Sequence, residues 1–365
     1  MMADTKTEKR TSIGGQALIE GVMMRGPHKT AMAVRDPAGQ IVLEQWDNPV
    51  NKRPAWTKWP FVRGLFNFYD SMRYGYKCLM RSAELSGLDD EDDGKAKKAD
   101  EKKGETAEVA DGGQSAASAE TADAEQEPER ARSADGEQST KSAENANGKQ
   151  GAKSKDSAMT VVMIAATVLG VGLALILFMW LPIQLFSWLA KAVPEIDHRY
   201  IRGVFEGVLR IVIFLAYMLA VSRMKDIRRT FQYHGAEHKT IFCYEKGLPL
   251  TVENVRPQRR FHPRCGTSFL ILMLIVGILI SILIPIETPL LRTAVKLLLL
   301  PLTVGVGYEL IKLAGRKDNT FTRIISAPGM WMQHITTIEP DDGMIECAIA
   351  SLKAVIPNDP EDDRW

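Results

Sequence analysis

The sequence predicts an α-helical multi-pass membrane protein with about four transmembrane helices and a small cytoplasmic α+β part that contains a β-hairpin. Two observations support this fold class. A run without any charged residue extends from position 157 to position 190, which exceeds the roughly 20 residues that a helix needs to cross a bilayer. Charge and apolar residues are also strongly segregated along the chain, although the net charge is +1 and the mean hydropathy is -0.12.

Residues 1–85 are predicted to form an N-terminal cytoplasmic part. Residues 30–35 and 40–46 have the composition of strands and are joined by the turn sequence DPAG, so together they predict the hairpin. After Pro60, apolar residues recur every three or four positions, which predicts an amphipathic helix. This helix either packs against other elements or lies on the membrane surface.

Residues 86–157 differ in composition from the rest of the chain. They contain no aromatic residue and consist largely of Ala, Gly, Ser, Glu, Asp, Lys and Gln. Such a segment cannot bury enough apolar surface to offset the entropy lost on ordering. It is therefore predicted to be a disordered linker.

Residues 158–224 and 265–314 are each predicted to contain two membrane-spanning helices. The first span, residues 159–181, is expected to end at Pro182, because the whole charge-free run would overshoot the ~30 Å hydrocarbon core. The other predicted spans are residues 203–224, 265–286 and 291–314. Two of these contain charged residues, so two spans are the main alternative to four.

The distribution of basic residues predicts the orientation in the membrane. Ten Lys or Arg side chains lie within residues 223–264, and basic loops stay in the cytoplasm. An even number of spans then places both termini in the cytoplasm, in agreement with an N-terminus that lacks the apolar core of a signal peptide. Membrane lipids are the expected partners, and the basic loop is expected to bind anionic lipid or a protein. A net charge of +1 gives no reason to expect DNA binding.

A cluster of histidine and cysteine lies in the basic loop, residues 225–264, and at its end. His234 and His238 lie four residues apart and share one face of a helix. With Glu237 they form H-x-x-E-H, an order in which the glutamate is the general base for a water on the metal. His262 and Cys265 follow, and nitrogen and sulfur donors favour zinc. The pattern predicts zinc bound by these four side chains, although chance pairing of surface histidines is the alternative.

The number of ligands separates a structural zinc from a catalytic one. Four protein ligands close the tetrahedron, whereas three leave a position open to water. Glu309 could replace Cys265 as a ligand, or it could pair with Lys312 or Arg316. Glu20 is a second candidate for such a polar site.

Glu206 and Arg210 lie four residues apart in the second predicted span, so they can pair on one helix face. A charged pair within a span indicates a polar interior or a conducting path, unless both side chains reach the membrane interface. Together with Glu309, this pair favours a small transporter.

Residues 315–365 are predicted to form a cytoplasmic C-terminal segment with its own amphipathic helix. Asp341 or Asp342 can cap this helix within residues 338–356. Its apolar face is predicted to contain Met344, Ile345, Ala348, Ile349 and Leu352. Such a face is typical of a helix that docks on another part of the protein.

Four segments carry a family resemblance: IGGQALIEGVMMRGP (13–27), YHGAEHKTIFCYE (233–245), FHPRCGTSF (261–269) and APGMWMQHITTIEPDD (327–342). They resemble the YqhQ-like family of bacterial multi-pass membrane proteins, which carry a domain of unknown function and are sometimes described as predicted metal-dependent enzymes. The resemblance implies a place in the bacterial cytoplasmic membrane but supplies no reaction. It argues against His334 as a ligand and draws attention to Glu20, Gly21 and Arg25. The family motif maps onto His234, Glu237, His238, His262, Arg264 and Cys265.

Three functions remain open from the sequence. The first is a metal-dependent hydrolase in which Glu237 activates water, acting on a peptide or a lipid-linked molecule. The second is a non-catalytic membrane scaffold or assembly factor with a structural zinc. The third is the small transporter.

Overall fold

A computed structural model describes the chain over residues 10–48, 53–87, 165–196, 198–316 and 319–363. Within these ranges the chain is mostly helical and contains a four-stranded antiparallel sheet. The linker predicted for residues 86–157 lies outside the described residues except for its first two positions.

The sheet is formed by the N-terminal part of the chain. Its strands are β1 Gly14–Leu18, β2 Gly21–Arg25, β3 Lys29–Arg35 and β4 Ile41–Asp47, and they pair in chain order. The hairpin predicted from the DPAG turn is confirmed as β3 and β4. A tight connection joins β1 to β2, with Glu20 in a left-handed conformation at a φ of 50°. The sequence did not indicate β1 and β2, because β2 is buried along almost all of its length and lacks the alternation of a half-exposed strand.

Helices make up most of the remaining described chain. The longer ones are α1 Val62–Leu85, α2 Ala165–Ala192, α3 Arg199–Val221, α4 Lys225–Glu245, α5 Gly266–Ile282, α6 Pro289–Leu298, α7 Leu300–Arg316, α8 Thr320–Thr336 and α9 Asp342–Val355. Short helical turns are Ala55–Lys58, Pro194–Ile196, Val252–Val255 and Pro360–Asp363. The helix predicted after Pro60 is present as α1. The predicted cap of the C-terminal helix is also present, since the Met344 N–H donates to the Asp341 side chain at 2.8 Å.

The sheet is covered on both faces by helices. On one face, Val22 and Met24 pack with residues of α4 and α9. On the other face, Met23 and Val34 pack with Cys78 of α1. Large apolar side chains buried in this way contribute roughly 1.5–3 kcal/mol each, so α9 docks firmly on the sheet. Its five predicted apolar positions are all buried: Met344, Ile345, Ala348, Ile349 and Leu352.

Two or three helices of the described residues could span a membrane, rather than the four predicted. Helices α2 and α3 are each long and apolar enough to cross a membrane. Helices α6 and α7 together could form a third span, bent by 48° where they meet. Pro301 explains this bend, because a proline near a helix junction lacks a donor N–H and clashes with the preceding turn. Helix α5 is apolar but has only 17 residues, which at about 1.5 Å each fall short of the ~30 Å hydrocarbon core.

Helix α2 does not end at Pro182, where the sequence suggested a break. It continues to Ala192 through a π-helical turn at Ile176–Trp180. Pro182 has no N–H to donate to the Phe178 carbonyl four residues earlier. That carbonyl accepts a hydrogen bond from Arg210 Nε at 2.7 Å, so a neighbouring helix supplies the missing donor.

Candidate metal centre

The centre is built around the middle of α4, where every residue from Tyr233 to Cys243 is buried. Gly235 permits this close packing, because a side-chain carbon at this position would lie 2.1 Å from the Ile338 carbonyl oxygen. The Ile338 N–H donates to the Phe231 carbonyl at 2.9 Å. The segment that follows α8 therefore runs directly along α4 and completes the wall of the centre.

Two backbone carbonyls orient the imidazoles of His234 and His238. His234 Nδ1 lies 2.8 Å from the Thr336 carbonyl oxygen, and His238 Nδ1 is hydrogen-bonded to the Arg260 carbonyl oxygen. A carbonyl oxygen only accepts, so each Nδ1 carries a hydrogen and Nε2 is the nitrogen of each ring that can bind a metal once it is deprotonated. This is the arrangement in which protein histidines bind metals through Nε2.

Cys265 brings a third donor to the two histidines. Its Sγ lies 3.1 Å from His234 Nε2, and one ligand atom from each of His234, His238 and Cys265 falls within 4.8 Å of the others. We call these three buried residues the triad. Cys265 is the N-cap of α5, where its Sγ accepts from the Thr267 N–H at 3.4 Å.

The charges in the triad favour a thiolate. Burial opposes ionisation of the Cys265 thiol, but the facing imidazoles of His234 and His238 outweigh it and hold its pKa well below the ordinary value. Burial likewise opposes protonation of His234, but Cys265 raises the pKa of this histidine to about 9. The metal-free pair is therefore a thiolate facing an imidazolium, and the thiolate is the form of cysteine that binds metals.

His238 Nε2 is the polar atom that most directly indicates a ligand. It is buried and has no hydrogen-bond partner among the described residues, and His238 itself is 1% exposed. An unsatisfied buried polar atom costs about 1–3 kcal/mol. A cation between His238, His234 and Cys265 would remove that cost, so the donor set fits a metal.

Glu237 lies beside the triad on α4. Burial raises its pKa above the ordinary value, and the neighbouring His238 and His234 offset this only in part. Its Oε2 is buried without a hydrogen-bond partner in the described part of the chain. Gly15 of β1 packs against it, since a side-chain carbon there would lie 2.7–2.8 Å from Glu237 atoms. A buried carboxyl of raised pKa suits proton transfer near neutral pH.

His262 lies next to the triad but outside the three donors that converge. Its ring centroid is 5.5 Å from that of His238. Its Nδ1 accepts from the Arg264 N–H at 3.3 Å, and its Nε2 lies 3.8 Å from Glu245 Oε2. Burial lowers its pKa to about 4. Gln333 fixes its backbone by exchanging two hydrogen bonds with it, at 2.7 and 2.8 Å.

Residues close to both ends of the described chain reach the rim of this region. The Thr11 N–H donates to Glu245 Oε1 at 3.0 Å, and Arg264 Nη1 donates to the Thr11 carbonyl at 3.1 Å. Asp363 accepts from the Thr11 hydroxyl and from Tyr244 Oη, the latter at 2.8 Å. Burial opposes ionisation of Glu245, but His262 and Arg264 outweigh it and lower its pKa. The segment that leads into β1 is thus tied down beside the triad.

The other acidic candidates have partners of their own. Glu20 pairs with Arg229 and accepts from Tyr233 Oη at 3.3 Å. Glu309 accepts from Arg63 Nε at 2.7 Å. Neither is among the converging donors. His334 is exposed, with its Nδ1 at 2.9 Å from the Trp331 carbonyl.

Glu206 and Arg210 have separate partners on neighbouring helices. Glu206 Oε1 lies 3.2 Å from Arg292 Nε, and Glu206 Oε2 lies 2.5 Å from Lys296 Nζ, both on α6. Arg210 Nε donates to the Phe178 carbonyl of α2. These contacts hold α3 against both α2 and α6.

Comparison with known proteins identifies the family. Residues 59–358 match the sequence profile of a family described as "Protein of unknown function (DUF1385)". The chain belongs to the DUF1385 family. One similar protein, "Uncharacterized protein YqhQ" of Bacillus subtilis (strain 168), is 30% identical over 347 residues, which cover 94% of this chain and 92% of that protein. The resemblance to the YqhQ-like family is therefore confirmed. No solved structure matches the chain.

The residues that match the DUF1385 family include the whole triad. Several residues that surround the triad could not be recognised from the sequence. Gly15 lies in IGGQALIEGVMMRGP, where paired glycines were the available signal. Glu245 and Gln333 lie inside two other matched segments, without a spacing that indicates a role. The Thr336 and Arg260 carbonyls carry no sequence signal, because any residue type supplies a carbonyl.

Proposed function

We propose that this DUF1385 protein is a membrane-associated hydrolase that holds zinc between His234, His238 and Cys265. The observation that carries the proposal is His238 Nε2, which is buried without a partner in the described residues and belongs to a cluster that also contains a thiolate. Two nitrogen donors and one sulfur donor favour zinc over magnesium or calcium. In both histidines Nδ1 is held by a backbone carbonyl, so Nε2 is the nitrogen that would bind the metal.

Three protein ligands leave a coordination position open, as in catalytic zinc sites. A zinc ion there would supply Lewis acidity and lower the pKa of water. In its ionised form Glu237 would take a proton from the attacking water, and its raised pKa would let the carboxyl hold that proton until it passes to the leaving group. The Thr336 and Arg260 carbonyls keep the histidines oriented during this cycle.

Metal analysis of the purified protein tests the site itself. We expect about one zinc ion per chain in the wild type and little in His238→Ala. His334→Ala is the matched control, because His334 is an exposed histidine away from the triad. Melting curves check that each variant folds. Absence of metal from folded wild-type protein, or equal zinc in both variants, would contradict the proposal.

Glu237→Gln tests catalysis separately from metal binding. We expect it to keep its zinc and to lose about 10²–10⁴-fold in hydrolysis of model esters, phosphoesters or peptides. Glu253→Gln, which changes a glutamate at an exposed position of the same loop, should hydrolyse them at the wild-type rate. Complementation of a strain that lacks the protein is the second measurement. Full complementation by a zinc-loaded Glu237→Gln protein would contradict the catalytic role of Glu237.

A structural zinc in a non-catalytic membrane factor is the second candidate. The nearness of His262 to His238 favours it, because a turn of the His262 ring would supply a fourth ligand and close the site. Replacing His262 with Ala separates the two candidates. Loss of zinc together with a lower melting temperature indicates the closed site, whereas retained zinc indicates the open one.

We further propose that the protein crosses the bacterial cytoplasmic membrane several times with the triad and both termini in the cytoplasm. The ten basic residues within 223–264 support this orientation, and they also suit anionic lipid headgroups or a protein partner. A reporter that is active only in the cytoplasm, fused after the last residue, tests the orientation. An inactive fusion to a folded protein would overturn it.

A further inference from the structure

A largely apolar cavity lies among α2, α3, α5, α6 and α7, and no residue of the triad lines it. The cavity measures about 320 Å³. Its walls are largely aromatic and aliphatic, with Phe178, Phe214 and Leu274 as examples. Two of the helices that line it, α2 and α3, are long and apolar enough to cross a membrane.

The polar residues around the cavity carry an excess of positive charge. Arg210, Arg292 and Lys296 surround one carboxylate, that of Glu206, and all four are buried, with exposures of 8%, 1%, 8% and 0%. Glu206 pairs with Arg292 and Lys296. Arg292 is further satisfied by carbonyls of residues 281, 284 and 286. Arg210, in contrast, has no carboxylate at ion-pair distance in the described part of the chain.

Two donors that line the cavity remain unsatisfied. Arg210 Nη2 and Ser281 Oγ are both buried, and neither has a hydrogen-bond partner among the described residues. Both residues belong to the cavity wall. A guanidinium binds the oxygens of a carboxylate or a phosphate with two parallel hydrogen bonds. The vacant donors therefore match an anionic oxygen group.

We propose that this cavity binds a single-chain anionic amphiphile, with its headgroup on Arg210 and Ser281 and its chain against the apolar wall. The volume is about twice that of a ~150 Å³ apolar cavity that binds benzene, which suits one headgroup and part of one acyl chain. Carboxylate and phosphate headgroups share this chemistry, and the experiment separates them. The proposal stands apart from the metal centre, because none of the residues that it uses belongs to the triad.

A photoactivatable fatty acid with a diazirine on its chain is the probe. Cross-linking to purified full-length protein in a non-ionic detergent, followed by peptide mapping, should label α3 or α5. Oleate and lysophosphatidic acid should compete with the probe at least about tenfold better than neutral monooleoylglycerol. The stronger of the two anions identifies a carboxylate or a phosphate site. Equal competition by the neutral lipid, or labelling spread over all helices, would overturn the proposal.

Arg210→Met removes the charge and keeps the length of the side chain. It should weaken labelling about tenfold or more, while Ser281→Ala should weaken it about threefold. Lys191→Met, which removes an exposed cation of α2, should label as the wild type does. Wild-type labelling by a folded Arg210→Met protein would contradict the assignment. If that variant does not fold, Ser281→Ala and the wild-type competition decide.

Discussion

His234 Nε2 lies 3.1 Å from Cys265 Sγ, although 31 residues separate the two in the chain. One residue belongs to α4, which packs against the sheet, and the other caps the apolar helix α5. The contact therefore joins the part of the protein that contains the sheet to the apolar helix α5. Any ligand bound between these residues acts on both parts at once.

Replacing Cys265 with Ser should weaken zinc binding by more than the roughly 10- to 100-fold that the loss of an outer-shell partner costs. A hydroxyl stays protonated where the thiol of Cys265 ionises, so the site loses its one anionic donor. Titration against a competing chelator measures the change. Cys347→Ser is the control, since Cys347 is also a buried free cysteine but belongs to α9 and packs in the core beside the sheet. Equal affinities in the two variants would contradict the assignment of Cys265.

Zinc affinity should rise with pH by about tenfold per unit from about pH 6.5 to about pH 8.5. The pKa of His234 is raised to about 9, so this histidine is protonated in the metal-free protein over that range. The metal must displace that proton, and acid therefore opposes binding. Cys265 adds no further proton here, because its pKa lies well below the ordinary value. An affinity that does not change with pH would show that His234 gives up no proton.

Gly15→Ala should destabilise the protein by about 1–3 kcal/mol. The added carbon would lie 2.7 Å from Glu237 Cγ, so it must push the carboxyl away from β1. Gly14→Ala is the matched control, because nothing lies within 4 Å of a side-chain carbon at that neighbouring position. Melting temperatures in detergent compare the two variants. Equal melting temperatures would indicate that β1 and Glu237 are not in tight contact.

Glu206→Ala should lower the free energy of unfolding by about 3–5 kcal/mol, because it leaves buried cations without their carboxylate. Lys296 and Arg292 are the cations concerned. Glu195→Ala removes an exposed carboxylate and should change the stability by less than about 0.5 kcal/mol. Thermal unfolding of the purified proteins measures both. A stable Glu206 variant would mean that the ion pairs contribute little to the packing of α3 on α6.

The sequence predicted those features that depend on local spacing. The DPAG turn predicted the hairpin of β3 and β4, and the four-residue spacing of His234 and His238 predicted a shared helix face. Features that depend on contacts between residues far apart in the chain could not be predicted from the sequence. The π-helical turn before Pro182 depends on a donor from α3, and the number of spans depends on helix lengths that hydropathy alone does not fix.

The candidate metal-binding residues show the same division between local and distant causes. The triad was contained in the predicted set of four, because nitrogen and sulfur donors are recognisable from residue type. His262 lies beside the triad and contacts Glu245 and Arg264 instead. The spacing of residues 261–269 does not predict these contacts. The tautomers are likewise invisible in the sequence, since they are set by the Thr336 and Arg260 carbonyls.

The hydrogen bonds from Thr11 to Asp363 and Glu245 tie the first and last segments of the described chain together beside the triad. Removal of Thr11 or Asp363 would release the segment that leads into β1 and loosen the packing of Gly15 against Glu237. Expression plasmids that begin after Thr11 or end before Asp363 would therefore yield protein altered beside the triad. Purification tags are best attached outside residues 11–363, through spacers long enough to leave the hydrogen bonds of Thr11 and Asp363 undisturbed.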